Sequence, residues 1–503
     1  MMRQRRPTRS PDAIPQRPWG QVPRRYDPIK VISDDQIAAI HGAALKLLAE
    51  QGIRVLNGAA IAAYASAGAR VDGNMVFLDP DMVAEHLATV PRTFQIAARN
   101  RARDLRFGGN DMVFSSVGGP AYVMDIDRGR RDGSYQDMND FLKLCQSLNV
   151  IHQEAGGPLE PMDLPARTRH LDHYHSVITL MDKSWNLNAL GRGRTMDGIQ
   201  MAALSMGWSL DDLAETPMMM GVINTNSPRQ LDDPMSEGLM CLAEHGQVAI
   251  VTPFTLAGAM APITIAGALV LQHAEAMFGI VLTQIVRRGV PVMYGGFTSN
   301  VDMKTGAPAF GTPEYTKAAQ ASGQLARHIG VPFRSSNVTA ANTLDAQAAY
   351  ESQMALWGCL MGGAHLVIHG AGWMHGGLTA SFEKLILDAE MLGMMQAYFT
   401  PLEVTEASLG LDAIAEAGVG GHFFGTAHTM ERYETAFHAP MLSNGDNYPN
   451  WLQRGSQEAP QRANRIWKEL LATYEPPPLD AGLCEAVEDY VARRKAEGGV
   501  ETN

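Results

Sequence analysis

The chain has 503 residues, 46% of them hydrophobic, enough to bury one extensive core or two to three ordinary ones. Its formal net charge of -12 comes without the clustered Lys and Arg that a phosphate backbone requires, which excludes a nucleic-acid binder and leaves small molecules and other proteins as partners. The four cysteines, Cys145, Cys241, Cys359 and Cys484, show neither CxxC nor Cys/His spacing, so no disulfide framework and no structural zinc are expected, and a reducing cytoplasm is the natural setting.

Residues 1–30 read as a flexible basic tail. Seven Arg and five Pro fall within the first 25 positions, with neither the amphipathic period of a transit peptide nor an apolar h-region. Residues 31–148 read as an α+β cap module: a helix from Asp34 to Gln51, a shorter one from Asn57, a hairpin at Asp72-Gly73-Asn74 and a helix after Pro80. Strand-like runs follow at Phe94–Ala98, Met112–Ser115 and Ala121–Asp125.

From Asn149 the rhythm changes to short apolar runs alternating with long helical segments, the mark of βα units around a parallel sheet. Eight strands are predicted, at Val150–Gln153, Trp185–Leu190, Met218–Asn224, Val248–Pro253, Val290–Tyr294, Phe333–Ser336, Leu366–His369 and His422–Gly425. Helices are predicted at Arg167–Met181, Met235–His245, Ile265–Arg288, Glu314–Ile329, Asp345–Met361 and Phe382–Phe399. An open doubly wound sheet gives a similar linear pattern, but no strand runs into GxGxxG or GxxxxGK[ST]. The reading is therefore an α/β fold, a (β/α)8 TIM barrel over 149–440, followed by a C-terminal helical extension over 441–503. Residues 247–286 carry only His273 and Glu275 as chargeable interior groups, yet Thr252-Pro253 and the stretch from Gly258 to Pro262 interrupt them, so a strand, a loop and a buried helix fit better than a membrane span.

In a barrel the chemistry collects at the C-terminal ends of the strands. Those positions are polar or aromatic here: Glu154, Asn186 and Asn188, Asn224 and Asn226, Thr252 and Phe254, Tyr294 and Phe297, Ser335 to Asn337, and His369 with Trp373. Neighbouring glycines, as in Ala155-Gly156-Gly157-Pro158 and His369-Gly370-Ala371-Gly372-Trp373, let backbone approach a ligand closely. The run His170-Leu171-Asp172-His173-Tyr174-His175 looks metal-like, but it lies inside a helix and lacks the HExxH pattern, so no metal is assigned. There is no GxSxG elbow and no cysteine at a strand end, which removes hydrolase nucleophiles. Glu160 and Asp163 offer a general acid/base pair, against which Asp163 before a helix reads as a cap or turn residue.

Several segments resemble the trimethylamine methyltransferase family: Leu159-Glu160-Pro161-Met162-Asp163, the run Gly296 to Gly306, Asp345-Ala346-Gln347-Ala348-Ala349-Tyr350-Glu351, and Gly370 to Leu392. The resemblance spans nearly the whole chain. It implies a (β/α)8 barrel that moves a methyl group from a methylated amine to Co(I) of a corrinoid, with cobalamin carried by a separate partner protein and no cofactor bound directly. Archaeal trimethylamine enzymes of the family carry pyrrolysine, placed by similarity within residues 335–347; only standard residues occur there. That departure points to the branch without pyrrolysine, which includes glycine betaine methyltransferases.

The physical reason is the leaving group. A neutral tertiary amine would have to leave as a strongly basic amide anion unless its nitrogen is activated, whereas a quaternary ammonium leaves as a neutral amine and needs only to be held and aimed. The expected substrate site comprises Glu154, Trp185, Asn188, Asn224, Phe254, Tyr294, Phe297, Arg334, His369 and Trp373, with no catalytic residue assigned. The aromatic members would supply cation-π contacts, and Arg334, His369, Asn224 or a helix N-terminus would receive a substrate carboxylate; Arg334 is the weaker choice if its side chain points away from the barrel interior. Ordinary core packing is the competing reading for each aromatic. Two further functions stay open, trimethylamine as the substrate and a non-catalytic quaternary-amine binding protein, and the partner list leaves room for a homo-oligomer.

Overall fold

A four-residue strand cannot bury its own faces, and eight of them solve the problem by pairing edge to edge into a closed cylinder inside a ring of helices. The computed structural model describes residues 14–501. Its barrel strands are β1 (Val113–Ser116), β2 (Gln153–Glu154), β3 (Ser184–Leu187), β4 (Met219–Ile223), β5 (Val248–Val251), β6 (Val292–Gly295), β7 (Phe333–Ser336) and β8 (Leu366–Ala371), all parallel and each beside its sequence neighbours. β8 closes on β1 through Leu366 opposite Val113 and Val367 opposite Phe114. The outer helices follow in strict alternation: α1 (Tyr135–Ser147), α2 (Arg169–Leu180), α3 (Arg192–Met206), α4 (Asp233–Glu244), α5 (Ile265–Val286), α6 (Pro313–His328), α7 (Ala346–Met361) and α8 (Phe382–Phe399). Side-chain caps that accept from first-turn amides start most of them, Ser134 for α1, Asp232 for α4, Thr264 for α5, Thr312 for α6, Asp345 for α7 and Ser381 for α8.

Three expectations need correction. The barrel begins at Val113, inside the segment read as the cap module, because a hairpin (Tyr122–Asp125 with Gly129–Asp132) intervenes between β1 and α1 and hides that βα unit in the linear pattern. His422–Gly425 is not a strand; α8, which completes the barrel, already ends at Phe399. Residues 14–30, read as tail, instead strap the N-terminal rim: Gln16 Nε2 donates to Ser147 O, Arg24 N to Asn110 O and Ile29 N to Met361 O. Residues 1–13 of that segment lie outside the described residues.

Side chains alternate along each strand. Val113, Met220, Val248, Ile250, Met293, Leu366 and Ile368 point inward and form the barrel core. Its floor is a hairpin (Thr93–Ile96 with Leu105–Gly108) whose Ile96, Leu105 and Phe107 plug the N-terminal end. α5 is long and apolar enough to cross a membrane on composition, but it lies buried between the barrel wall and the N-terminal helices 34–50, 58–66 and 80–87. The C-terminal helix 459–472 packs on α8, and 481–496 docks on α3, where buried Asp197 accepts from Tyr490 Oη and Arg494 Nε and pairs with His170 Nε2. His170 is thereby a structural latch, and among the described residues no group of His, Cys, Asp or Glu is arranged to hold a metal.

Candidate active site

The C-terminal strand ends enclose a cavity of about 550 Å³, bordered by the segments after β1 to β6 and by residues of β7 and β8 themselves. A groove of similar size at the opposite rim, about 580 Å³ between Pro91 and Pro291, is not at the face where barrels gather their chemistry. Of the ten residues expected at the site, Asn188, Asn224, Phe254, Phe297, Arg334 and His369 line this cavity. Glu154, Trp185, Tyr294 and Trp373 do not.

Strand parity explains most of the division. On β3 the inward residue is Asn186, whose Oδ1 accepts from Gln153 Nε2 at 3.1 Å, so Trp185 faces the helix layer and packs on Tyr174 of α2 at 5.2 Å. On β6 Met293 is inward, so Tyr294 faces α5, where its hydroxyl accepts from Gln272 Nε2 at 3.1 Å and meets His273 Nδ1 at 3.2 Å. Glu154 is fully buried behind the cavity wall, its Oε1 accepting from Gly157 N and its Oε2 lying 3.6 Å from His173 Nε2. Trp373 stacks on the outer face of His369, centroids 5.3 Å apart and planes 12° off parallel. The same alternation settles Arg334, which is inward because its neighbours Phe333 and Ser335 are outward; the reservation about its direction falls away.

His369 reaches the cavity by breaking the alternation. Ile368 is already inward, so a regular β8 would send His369 to the helices. Instead the pairing of β8 with β1 slips between Val367 and Ala371, and His369 adopts φ +56°, a conformation costly for a side-chain-bearing residue and concentrated at functional sites. The turn is held from behind: Asp388 Oδ2 accepts from Gly372 N at 2.8 Å, while Asp388 Oδ1 pairs with Lys384 Nζ, both side chains fully buried. Gly156 and Gly157, at φ +95° and +94°, supply the positive dihedrals by which the β2 loop folds back over the cavity edge.

In the cavity wall, Arg334 Nε and Nη1 and His369 Nδ1 are buried without a hydrogen-bond partner among the described residues; Ser115 Oγ, Gln153 Oε1 and Asn186 Nδ2, on the inward faces of β1, β2 and β3, are likewise without a partner but do not border the cavity. Native proteins tolerate few such groups, and a cluster of them marks a place where a ligand or water completes the bonding. The β4–β6 side is mixed: Val222, Phe254 and Phe297 give it an apolar face, the two rings 5.2 Å apart, beside the polar Asn224, Thr225, Asn226, Ser227 and Thr252. Phe310, which periodicity did not single out, backs Phe297 at 5.7 Å and Trp373 at 5.2 Å.

Electrostatically the cavity is mixed: Glu160, on the β2 loop and 3.5 Å from Arg169 Nη1, borders it together with Arg334 at β7. Arg334 is 2% exposed, forms no ion pair, and sits with Cζ 5.4 Å from the Phe297 centroid; burial holds its pKa down at about 10, so it stays charged at neutral pH. His369, enclosed deep in the barrel and beside Arg334, is pushed down to about 3 and is neutral. The arrangement can bind an anion, present aromatic faces to a cation and exclude water, and its buried histidine is not an acid near pH 7.

The profile of the trimethylamine methyltransferase (MTTB) family matches residues 2–499. Among curated proteins, the chain is 34% identical over 483 residues to a glycine betaine methyltransferase of Desulfitobacterium hafniense strain Y51, covering 96% of this chain and all of that one. It is 26% identical to a trimethylamine methyltransferase of D. hafniense strain DSM 10664 / DCB-2, over 93% and 94% of the two chains, and 25% identical to a proline betaine:corrinoid methyltransferase of Eubacterium limosum, over 91% and 95%. Among solved structures, the monomethylamine methyltransferase of Methanosarcina barkeri matches with TM-score 0.53 at 10% identity, over 94% of this chain and 89% of that one, a likeness of fold. With a profile match from end to end and a barrel of the kind the resemblance implied, this chain belongs to the trimethylamine methyltransferase family.

Proposed function

We propose that the protein takes a methyl group from glycine betaine, a quaternary amine that also bears a carboxylate, and delivers it to Co(I) of a corrinoid held by a separate protein. The observation that carries the substrate is Arg334, an unpaired guanidinium buried in the cavity beside an aromatic wall. A bare cation, whether tetramethylammonium or protonated trimethylamine, brings no partner for that guanidinium. A zwitterion pairs its carboxylate with Arg334 and lays its trimethylammonium against Phe254 and Phe297, so each half meets a group that suits it. The 34% identity to a glycine betaine methyltransferase supports the same reading.

In the transfer, the bond between nitrogen and one methyl carbon breaks as that carbon bonds to the acceptor cobalt. The electron pair stays on nitrogen, and dimethylglycine leaves as a neutral amine carrying its carboxylate, so no proton moves. This suits a site whose histidine is neutral and whose work is holding, orienting and drying the substrate. In this reading the acceptor protein would dock over the C-terminal mouth, the face at which the cavity lies.

The test offers the protein cob(I)alamin with glycine betaine, proline betaine, trimethylamine and tetramethylammonium in turn, and follows the absorbance of methylcob(III)alamin. Turnover with glycine betaine ahead of the others is the expected result. Turnover of trimethylamine alone would overturn the substrate assignment, and tight betaine binding with no methyl transfer would make the protein a binding protein instead.

A further inference from the structure

Half of the exposed large hydrophobic side chains among the described residues, thirteen of twenty-six, fall between Leu402 and Leu452. Leu402, Val419, Phe424 and Phe437 are each more than four-fifths exposed. Four short helices make up much of this arm, Glu406–Leu409, Leu411–Ala417, Ala427–Arg432 and Tyr448–Gln453, and Ala413 is their one buried residue. An arm of this composition cannot form a core of its own. Its apolar surface is on the order of 1,000 Å², several times the few-hundred-Å² patch a monomer commonly shows and comparable to the roughly 800 Å² that each partner buries in a stable complex.

We infer that the arm docks on a second copy of this chain, across the exposed face of the partner's α7 and α8. Three observations select that occupant. The first is where the arm is rooted: it leaves the end of α8 at Thr400, whose Oγ1 accepts from Arg17 Nη2 of the N-terminal strap, so it springs from the rim opposite the cavity mouth and is out of the way of a methyl acceptor. It returns to α8 where Glu390 accepts from Met441 N, Leu442 N and Ser443 Oγ. The second is permanence. The arm is a fixed part of every copy, and a partner present only during turnover would leave it bare for most of the protein's lifetime.

The third is a matching surface on the chain itself. α7 exposes Tyr350 and Met354 with half-buried Trp357 at three-to-four-residue spacing, and α8 exposes Met394 and Tyr398 beside them, with Tyr398 edge-on to Trp357 at 5.0 Å. This stripe continues into the root of the arm. Exchange about a twofold axis would put each arm on the other copy's stripe and close the assembly without leaving either patch free.

Sedimentation equilibrium of the full-length protein at micromolar concentration tests the exchange, with circular dichroism and betaine binding as controls on folding. The wild type is expected at the mass of two copies or a multiple of two. Phe424→Ser/Phe437→Ser in the arm and, separately, Met354→Glu/Met394→Glu in the stripe should each raise the dissociation constant at least tenfold; the milder Val419→Asp serves if the arm pair folds poorly. A monomeric wild type refutes the inference, as does an arm variant with unchanged mass. An effect from the arm without one from the stripe refutes the exchange.

Discussion

Replacing Arg334 by methionine separates binding from stability. The guanidinium is buried and unpaired, and in the proposed complex it would hold the substrate carboxylate. Truncating one partner of a buried charged pair costs about 2–5 kcal/mol, so Arg334→Met should weaken glycine betaine by roughly 30- to 4,000-fold. The free protein should move the other way. A buried cation without a counter-charge is a desolvation cost, and an apolar side chain of similar length should leave stability unchanged or raise it by about 1–4 kcal/mol. Discrimination should relax as well, since tetramethylammonium no longer meets a like charge. Calorimetric titration gives the affinities and thermal unfolding the stability. If Arg334→Met binds betaine within threefold of wild type, the carboxylate is held elsewhere; a variant that loses betaine and also unfolds early shows that Arg334 supports the fold and not the ligand.

The two classes of aromatic should separate under mutation: Phe254→Ala, in the cavity wall, should lower betaine affinity about 5- to 30-fold through a lost cation-π contact. Tyr294→Phe should leave that affinity within twofold and cost about 1–2 kcal/mol of stability, since it deletes the bonds to Gln272 and His273 in the helix layer. His152, His365 and His369 have pKa values pushed by burial down to about 3, 4 and 3. Because the unfolded chain binds protons near pH 6.5 that the folded one refuses, stability should be full above that value and fall by up to about 1.4 kcal/mol per pH unit per imidazole as the pH drops toward 4; denaturant titrations at pH 7 and 5 check it, and equal midpoints would contradict it. Asp388→Leu should destabilise by about 3–5 kcal/mol by stranding the Lys384 charge, and Lys384→Met in the same chain should recover much of the loss in thermal unfolding.

Much of the barrel was legible because its helices are long and strongly patterned: Phe382–Phe399 and Phe333–Ser336 agree with the structure to the residue, and α5, α6 and α7 to within two. What the pattern could not show was ring membership. Met112–Ser115 was readable as a strand, but its partners β8 and β2 lie far along the chain in one case and behind an inserted hairpin in the other. With one true strand set aside, the count of eight was completed by His422–Gly425, which has no partner. In the site, Asn188, Asn224, Phe254 and Phe297 were accessible from their place just past the strand ends, whereas Trp185 and Tyr294 lie within strands, where a shift of one residue decides between the cavity and the helix layer. His369 lines the cavity through a bulge that periodicity does not encode.

The burial of α5 has a consequence for how the protein is made. On the ribosome, a 22-residue apolar segment is a hazard when it emerges, liable to engage membranes or other chains. Here the helices that cover it, 34–50, 58–66 and 80–87, are translated first. The N-terminal module can therefore receive α5 as it appears, as an intramolecular chaperone would. A shortened gene that starts at the first barrel strand would encode every residue lining the cavity and still deprive α5 of that reception, so its product should be recovered as aggregate rather than as a smaller active enzyme.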